Sequence, residues 1–233
     1  MWFHNFMRKR SVSQIAVPFS DQTTPAMISR AQKNGMSIAE LRVDLYSSYE
    51  IKHVLKEILK FKKISTIATI RSKKEGGAWK GTEKERLKLF KIVLPHVDKI
   101  DIELSSRSIL KEVIANAHRL KKTVIVSYHN FQKTPKPAFL TNILKKSKAA
   151  GADIVKIAVM ARSKKDVEAM AEFTSTHARE GLITLSMGKE GVLSRVLFPC
   201  LGSLLTFAHI GRSTAPGQMD LKTTSTLLKN LYS

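Results

Sequence analysis

Eight short apolar runs, separated by segments with the spacing of amphipathic helices, constrain this chain more than any other feature of its sequence. The runs are "QIAVPF", "MSIAELRVDL", "STIATIR", "KIDIEL", "TVIVSYH", "DIVKIAVM", "LITLSMG" and "SLLTFAHI". Runs that are apolar on both faces belong to a parallel sheet covered on both sides. Between them, Ile51, Val54, Leu55, Ile58 and Leu59 recur at helical spacing, as do Ile109, Leu110, Val113, Ile114, Ala117 and Leu120. Thr82 with Glu85 forms a capping box, Ser163 can cap the helix after the sixth run, and Gly151 and Gly181 stand where helices should end. Eight β/α units in 233 residues predict an α/β fold, a single-domain (β/α)8 TIM barrel over residues 13–233. An open doubly wound sheet would carry a glycine-rich phosphate loop after its first strand, and "VPFSDQTT" has none. Residues 1–12 hold basic side chains with no apolar stretch behind them, and read as an N-terminal extension, not a secretory signal.

The sixth run contains an anomaly. Lys156 stands in the middle of "IVKIAV". An ammonium buried there costs several kcal/mol or more unless it is paired, neutral or able to reach water. In a (β/α)8 barrel the chemistry sits at the C-terminal ends of the strands. Polar residues that interrupt the runs do collect late. Glu40, Arg42 and Asp44 close the second run on one face, by alternation. Arg71 ends the third, and Glu75 follows in "RSKKEGG", whose glycine pair can bend a loop over the site. Ser127, Tyr128 and His129 end the fifth, Met187 ends the seventh, Arg195 follows, and "RSTAPGQ" after the eighth holds Thr214 and Gln218. Each has a plain alternative: an interior ion pair, a satisfied core histidine, an ordinary helix charge, a turn. Their convergence on one barrel mouth favours a catalytic site.

Composition limits the function classes. Forty Lys and Arg against nineteen Asp and Glu give a net charge of +21. The lysines recur along polar helix faces, as in "EIKHVLKEILKFKK", without interleaved aromatics, so the reading is a solvated basic surface and no nucleic-acid partner. The longest apolar runs are strand-sized, so no membrane partner is expected. The single Cys200 excludes an internal disulfide and a multi-cysteine metal site, which fits a cytoplasmic protein.

These residues resemble the type I 3-dehydroquinate dehydratase family of the shikimate pathway. The blocks "ELRVD", "TIRSKKEGG", "DIEL", "VIVSYHNF", "GADIVKIAVM", "SMGKEGVLSR" and "APGQ" occur in the family's order and spacing. The resemblance implies a (β/α)8 barrel, commonly a homodimer, that dehydrates 3-dehydroquinate to 3-dehydroshikimate without metal or organic cofactor. It further implies that Lys156 is the Schiff-base lysine, His129 the proton-transfer group, and Glu75 its acidic assistant. Glu40, Arg42 and Arg71 match groups that hold substrate hydroxyls and order the pocket. Arg195 and Gln218 match residues that bind the carboxylate, and Met187 and Phe207 match apolar walls. Thr214 stands where many members have serine, Pro18 where some offer a hydroxyl, and Ala161 where proline is common.

The chemistry agrees with the resemblance. A carbanion beside a ketone is poorly stabilised, whereas an iminium on Lys156 accepts the electrons. The attacking form is a free amine, which burial in an apolar strand and nearby cations such as Arg195 are expected to favour. Three alternatives remain at this point: a Schiff-base aldolase on the same barrel, an anion- or RNA-binding module with strongly salt-dependent binding, and a structural barrel without activity. The first would act on phosphorylated ketoses, and no glycine-rich phosphate loop follows the seventh or eighth run.

Overall fold

All eight expected strands form, and each is parallel to its neighbours: β1 (Gln14–Phe19), β2 (Ile38–Arg42), β3 (Ser65–Thr69), β4 (Lys99–Glu103), β5 (Thr123–Asn130), β6 (Ile154–Met160), β7 (Leu182–Met187) and β8 (Leu205–Phe207). Helices alternate with them: α1 (Pro25–Lys33), α2 (Ile51–Leu59), α3 (Glu83–Val93), α4 (Arg107–Arg119), α5 (Pro137–Ala149), α6 (Lys164–Thr176), α7 (Ser194–Leu201) and α8 (Leu221–Tyr232). This computed structural model describes residues 14–211 and 213–232, so the extension expected over residues 1–12 lies outside the described residues.

The strands follow chain order around the sheet, and β8 pairs with β1. Between β7 and β8 the barrel is joined by one backbone bond, Leu204 N–H to Leu182 C=O at 2.7 Å. Ser203 strengthens this seam, accepting from the Thr184 N–H at 3.0 Å and donating to the Leu205 carbonyl at 3.1 Å. A short last strand thus still completes a nearly closed (β/α)8 barrel.

Local signals act as the sequence indicates. Thr82 and Glu85 cap α3 reciprocally, and Ser163 does the same for α6 with Asp166. Gly151, at φ +102°, takes the chain out of α5. Gly181 lies beyond the end of α6 at Thr176, at the entry to β7. The second strand is shorter than expected. It stops at Arg42, and Val43–Leu45 forms a 3-10 turn, so Asp44 is not the next in-line residue of a strand face. The turn swings the Asp44 carboxylate beneath the Arg42 guanidinium, with contacts of 2.9 and 2.7 Å.

Strand alternation divides the core in two. One set of side chains, including Val17, Leu41, Ile70, Ile100, Val126, Val155 and Leu182, packs outward with the helices, among them Val54, Phe90, Val113, Leu140 and Met170. The other set fills the barrel. Its apolar cluster holds Ala16, Ile38, Ile67, Ile125 and Ile183, with Leu205 and Phe207. Two and four residues further along β2 to β6, the same face carries Glu40, Arg42, Thr69, Asp101, Glu103, Ser127, His129 and Lys156. The barrel therefore has an apolar floor and a charged upper interior. Ile183 is fully buried in that floor. Replacing Ile183 with Ala leaves a cavity beneath the charged layer and is expected to cost roughly 2–4 kcal/mol, read from the midpoint of urea unfolding.

Candidate active site

The charged layer is organised around Lys156. Its Nζ donates to Asp101 Oδ2 at 3.0 Å, lies 3.7 Å from Glu40 Oε1, and stands 4.1 Å from the centre of the Phe207 ring. Asp101 Oδ2 also takes Arg71 Nη2 at 2.7 Å, and its Oδ1 accepts from Ser127 Oγ at 2.6 Å. Arg71 Nη1 donates to Ser127 Oγ at 2.6 Å and lies 3.4 Å from Glu103 Oε1. Thr69 Oγ1 donates to Glu40 Oε1 at 2.9 Å. Every charge in this layer thus has an opposite charge or a hydroxyl beside it, which makes its burial tolerable. Burial opposes the charged carboxylate of Asp101, yet Arg71 and Lys156 outweigh it and hold this group well below the usual carboxylate range. The same balance, burial against Asp101 and Glu103, leaves Arg71 binding its proton more firmly than an ordinary arginine. The direct ion-pair partners of Lys156 are thus the carboxylates Asp101 and Glu40, and the cation Arg71 shares the Asp101 oxygen with it.

His129 and Glu75 form a second pair. The His129 backbone N–H donates to Glu75 Oε2 at 2.9 Å, and Nδ1 lies 3.0 Å from the same oxygen. Ser105 Oγ donates to Glu75 Oε1 at 2.5 Å. A carboxylate at Nδ1 keeps the imidazole proton there and leaves the Nε2 lone pair free. Burial, helped by the positive charges of Arg71 and Lys156, drives the His129 pKa well below 6.5, so the ring is neutral at neutral pH. Burial raises Glu75 from 4.5 to about 7, with the charge of Glu103 adding to it and Ser105, Arg71 and the His129 N–H working against it.

The loop that carries Glu75 is held tightly. Lys73–Glu75 is a 3-10 turn ended by Gly76 at φ +79°. A Cβ on Gly77 would lie 2.0 Å from the Arg71 carbonyl oxygen, so only glycine lets the loop fold back on β3. Beyond it, the Ala78 N–H donates to Asp44 Oδ2 at 3.1 Å, which ties the loop to the turn that holds Arg42.

Arg195, at the start of α7, is 1% exposed and has no carboxylate partner among the described residues. Nη2 donates to the Pro216 carbonyl at 3.3 Å, while the buried Nε has no partner. Burial lowers this guanidinium to about 10. Gln218 Oε1 accepts from the Thr214 N–H at 2.9 Å and its Oγ1 at 3.1 Å. Gln218 therefore holds the loop after β8 in shape and presents its amide nitrogen as the group left over.

One cavity, open toward solvent, joins Lys156 and Glu40 to the His129–Glu75 pair, Arg71, Arg195 and Gln218. Its walls include every site residue read from the sequence: Glu40, Arg42, Arg71, Glu75, His129, Lys156, Met187, Arg195, Phe207, Thr214 and Gln218. Pro18 lines a neighbouring groove instead. Among the described residues no group of three His, Cys, Asp or Glu side chains is placed to hold a metal ion.

The fold is that of known proteins. Residues 15–233 match the model of the type I 3-dehydroquinase family. The chain belongs to this family. The 3-dehydroquinate dehydratase of Thermodesulfovibrio yellowstonii is 33% identical over 219 residues, 93% of this chain and 94% of that protein. Among solved structures, the 3-dehydroquinate dehydratase of Geobacillus kaustophilus superposes with a TM-score of 0.88 at 28% identity, covering 94% of this chain and 91% of the other. The type I enzyme of Clostridium difficile does so with a TM-score of 0.85 at 31% identity, covering 96% and 93%. This dehydroquinase is accordingly a carbon–oxygen lyase that removes water from 3-dehydroquinate.

Several residues of the candidate site were not read from the sequence. Asp101 and Glu103 lie within "KIDIEL", and the alternation that picked out Glu40 and Arg42 would have picked them out as well. Phe131, which lines the cavity and stacks on His129 with ring centroids 6.4 Å apart, sits beyond the end of a strand, where periodicity carries no information. Ala158, Leu185 and Ala215 are small or apolar wall positions without any chemical signal.

The raised Glu75 pKa has a stability consequence. Below pH 4.5 the carboxyl is protonated in both folded and unfolded chains and costs nothing; as pH rises through about 7 the native state must bury its charge, and stability is lost. Glu75→Gln keeps an oxygen toward His129 and places its amide toward Ser105. The variant is expected to unfold later than wild type at pH 8, by up to roughly 3 kcal/mol, and to show no gain at pH 4, in matched thermal melts.

Proposed function

We propose that this dehydratase works through a covalent imine on Lys156, with His129 as the proton shuttle. The observation that carries the reading is a single buried lysine in a cavity that also holds a neutral imidazole and an arginine with no carboxylate partner. Nζ adds to the ketone carbon of 3-dehydroquinate, and the carbonyl oxygen leaves as water, giving a protonated imine. His129 takes the proton from the adjacent carbon, and the C–H electron pair moves to the imine nitrogen. That pair returns to expel the β-hydroxyl, which receives the proton from His129 and departs as water. A second water then hydrolyses the product imine and frees Lys156 and 3-dehydroshikimate.

Asp101 gains a role in this sequence that the resting contacts support. Its carboxylate is the ion-pair partner of the lysine nitrogen at rest. The iminium carries the same positive nitrogen, so Asp101 stabilises the intermediate that the chemistry needs. Glu75 keeps the His129 proton on Nδ1 and balances the imidazolium when it forms. Arg195 and the Gln218 amide bind the substrate carboxylate, with Thr214 closing the loop around it. Arg42 and Glu40 meet the ring hydroxyls, while Met187 and Phe207 form the apolar sides. Arg71 orders the pocket by holding Asp101. The Clostridium difficile enzyme was crystallised with covalent modified comenic acid, which supports covalent chemistry at such a site. The reading includes a homodimer acting in the cytoplasm on a small molecule, with neither nucleic acid nor membrane as partner. Among the described residues no helix is long and apolar enough to cross a membrane.

The direct test is a borohydride trap with 3-dehydroquinate, read by peptide mass spectrometry. We expect a ligand-sized mass on the peptide bearing Lys156 and none in Lys156→Ala. Turnover without any adduct would mean elimination without an imine and would overturn the role of the lysine. A pH series gives an independent check. kcat/KM should fall on the acid side of about 7 as Glu75 takes up a proton. Glu75→Gln should flatten that limb while lowering kcat roughly 10-fold. An unchanged limb in the variant would remove Glu75 from the mechanism.

A further inference from the structure

Arg86 is the largest fully buried side chain that the chemistry above leaves unused. It lies on α3, outside the barrel, and carries its guanidinium into the protein with no exposed surface. Two of its nitrogens, Nε and Nη1, make no hydrogen bond; Nη1 lies 3.2 Å from Glu83 Oε1 as an ion pair only. A buried cation so incompletely satisfied is expensive, and an apolar side chain at this position would pack at lower cost. Its one close partner group explains its presence. Nη2 pairs with Glu103 Oε2 and donates to Ser106 Oγ at 2.7 Å, and Ser106 Oγ in turn lies 3.0 Å from Glu103 Oε2.

Glu103 is where two lines of contact divide. Its other oxygen, Oε1, lies 3.4 Å from Arg71 Nη1, and Arg71 leads through Asp101 to Lys156. The same Oε1 accepts from the Ser72 N–H at 2.8 Å, at the start of the turn that presents Glu75 to His129. A third tie runs alongside, since Ser105, next to the Arg86 partner Ser106, donates to Glu75 Oε1. Charges alternate along the main line: Arg86, Glu103, Arg71, Asp101, Lys156.

We propose that Arg86 is a positioning residue for the dehydratase reaction. By fixing Glu103 it holds Arg71 and Asp101 against Lys156 on one side, and the Ser72 end of the Glu75 loop against His129 on the other. The inference rests on the roles given to Lys156 and Glu75 above. It has an electrostatic signature as well as a geometric one. The charged groups that face Glu75 are Arg71 from the end of β3 and Glu103 from β4, with the neutral, titratable His129 from β5 beside them. Arg86 neutralises Glu103. Without it, the uncompensated Glu103 charge opposes ionisation of Glu75 more strongly.

The test compares Arg86→Met, Arg86→Lys and the double variant Arg86→Met/Glu103→Gln, each scaled to its folded fraction by near-UV circular dichroism. The double variant leaves no unpaired buried charge, so it remains informative where Arg86→Met alone folds poorly. For Arg86→Met we expect kcat lowered roughly 10- to 100-fold with KM changed less than about 3-fold, because the substrate groups are intact and the reacting groups are displaced. The acid limb of kcat/KM should move up by about half to one pH unit. Arg86→Lys should restore most of both. In the double variant kcat stays low, since an amide holds Arg71 less firmly, while the acid limb returns to the wild-type position or below it. Wild-type kcat per folded molecule in Arg86→Met or in the double variant would overturn the proposal, as would an acid limb that does not move up in Arg86→Met or that stays equally high in the double variant. The borohydride adduct on Lys156 of the wild type is measured in parallel. Its absence counts against the lysine mechanism, whereas kcat and the acid limb of the variants decide the role of Arg86.

Discussion

The contact of Lys156 with Asp101 is the constraint on which the rest of the site depends. A lysine cannot sit inside a β-barrel alone, because the desolvation of its charge exceeds what packing returns. Asp101 removes that cost but introduces a buried carboxylate of its own. Arg71 balances Asp101, Glu103 balances Arg71, and Arg86 balances Glu103. The sequence of compensations ends outside the barrel on α3. Strands β3, β4 and β6 and helix α3 are thereby committed to keeping one nitrogen in place at the floor of an open cavity.

The same electrostatics separates the two proton-handling groups. His129 and Glu75 are in contact, and each is partly desolvated, but burial acts on them in opposite directions. A neutral form is favoured for both, which lowers the histidine and raises the glutamate. Near neutral pH the pair consists of an unprotonated imidazole and a carboxyl close to its midpoint, a combination able to take a proton and to hold the resulting charge. Arg71 and Lys156 contribute to the histidine shift, so the ion-pair chain that secures the lysine also helps to keep the imidazole neutral.

The barrel could be read from the sequence because each strand and helix announces itself locally. An apolar run bounded by turn residues, followed by a segment of period 3.6, needs no partner to be recognised. Site residues late in the strands could be read for a related reason: a charge in an apolar run is conspicuous, and Glu40, Arg71, His129 and Lys156 all have that appearance. Asp101 and Glu103 have it too, but a strand rich in charges looks half-exposed until the barrel closes around it. Arg86 offers no signal at all. In "TEKERLKLF" it is one of several charges on a helix, and the sequence does not say which of them turns inward.

The sequence by itself determined the fold and the family, since both rest on periodicity and on ordered local blocks. Tertiary structure alone decided which charge answers which. Sequence reasoning singled out Lys156 without its partner, and the folded barrel pairs it with Asp101, 55 positions away along the chain. The reason is physical. A strand's hydrogen-bonding and face pattern is set by its own residues and immediate neighbours, whereas the free energy of a buried charge depends on every other charge that closure of the barrel brings within a few ångströms.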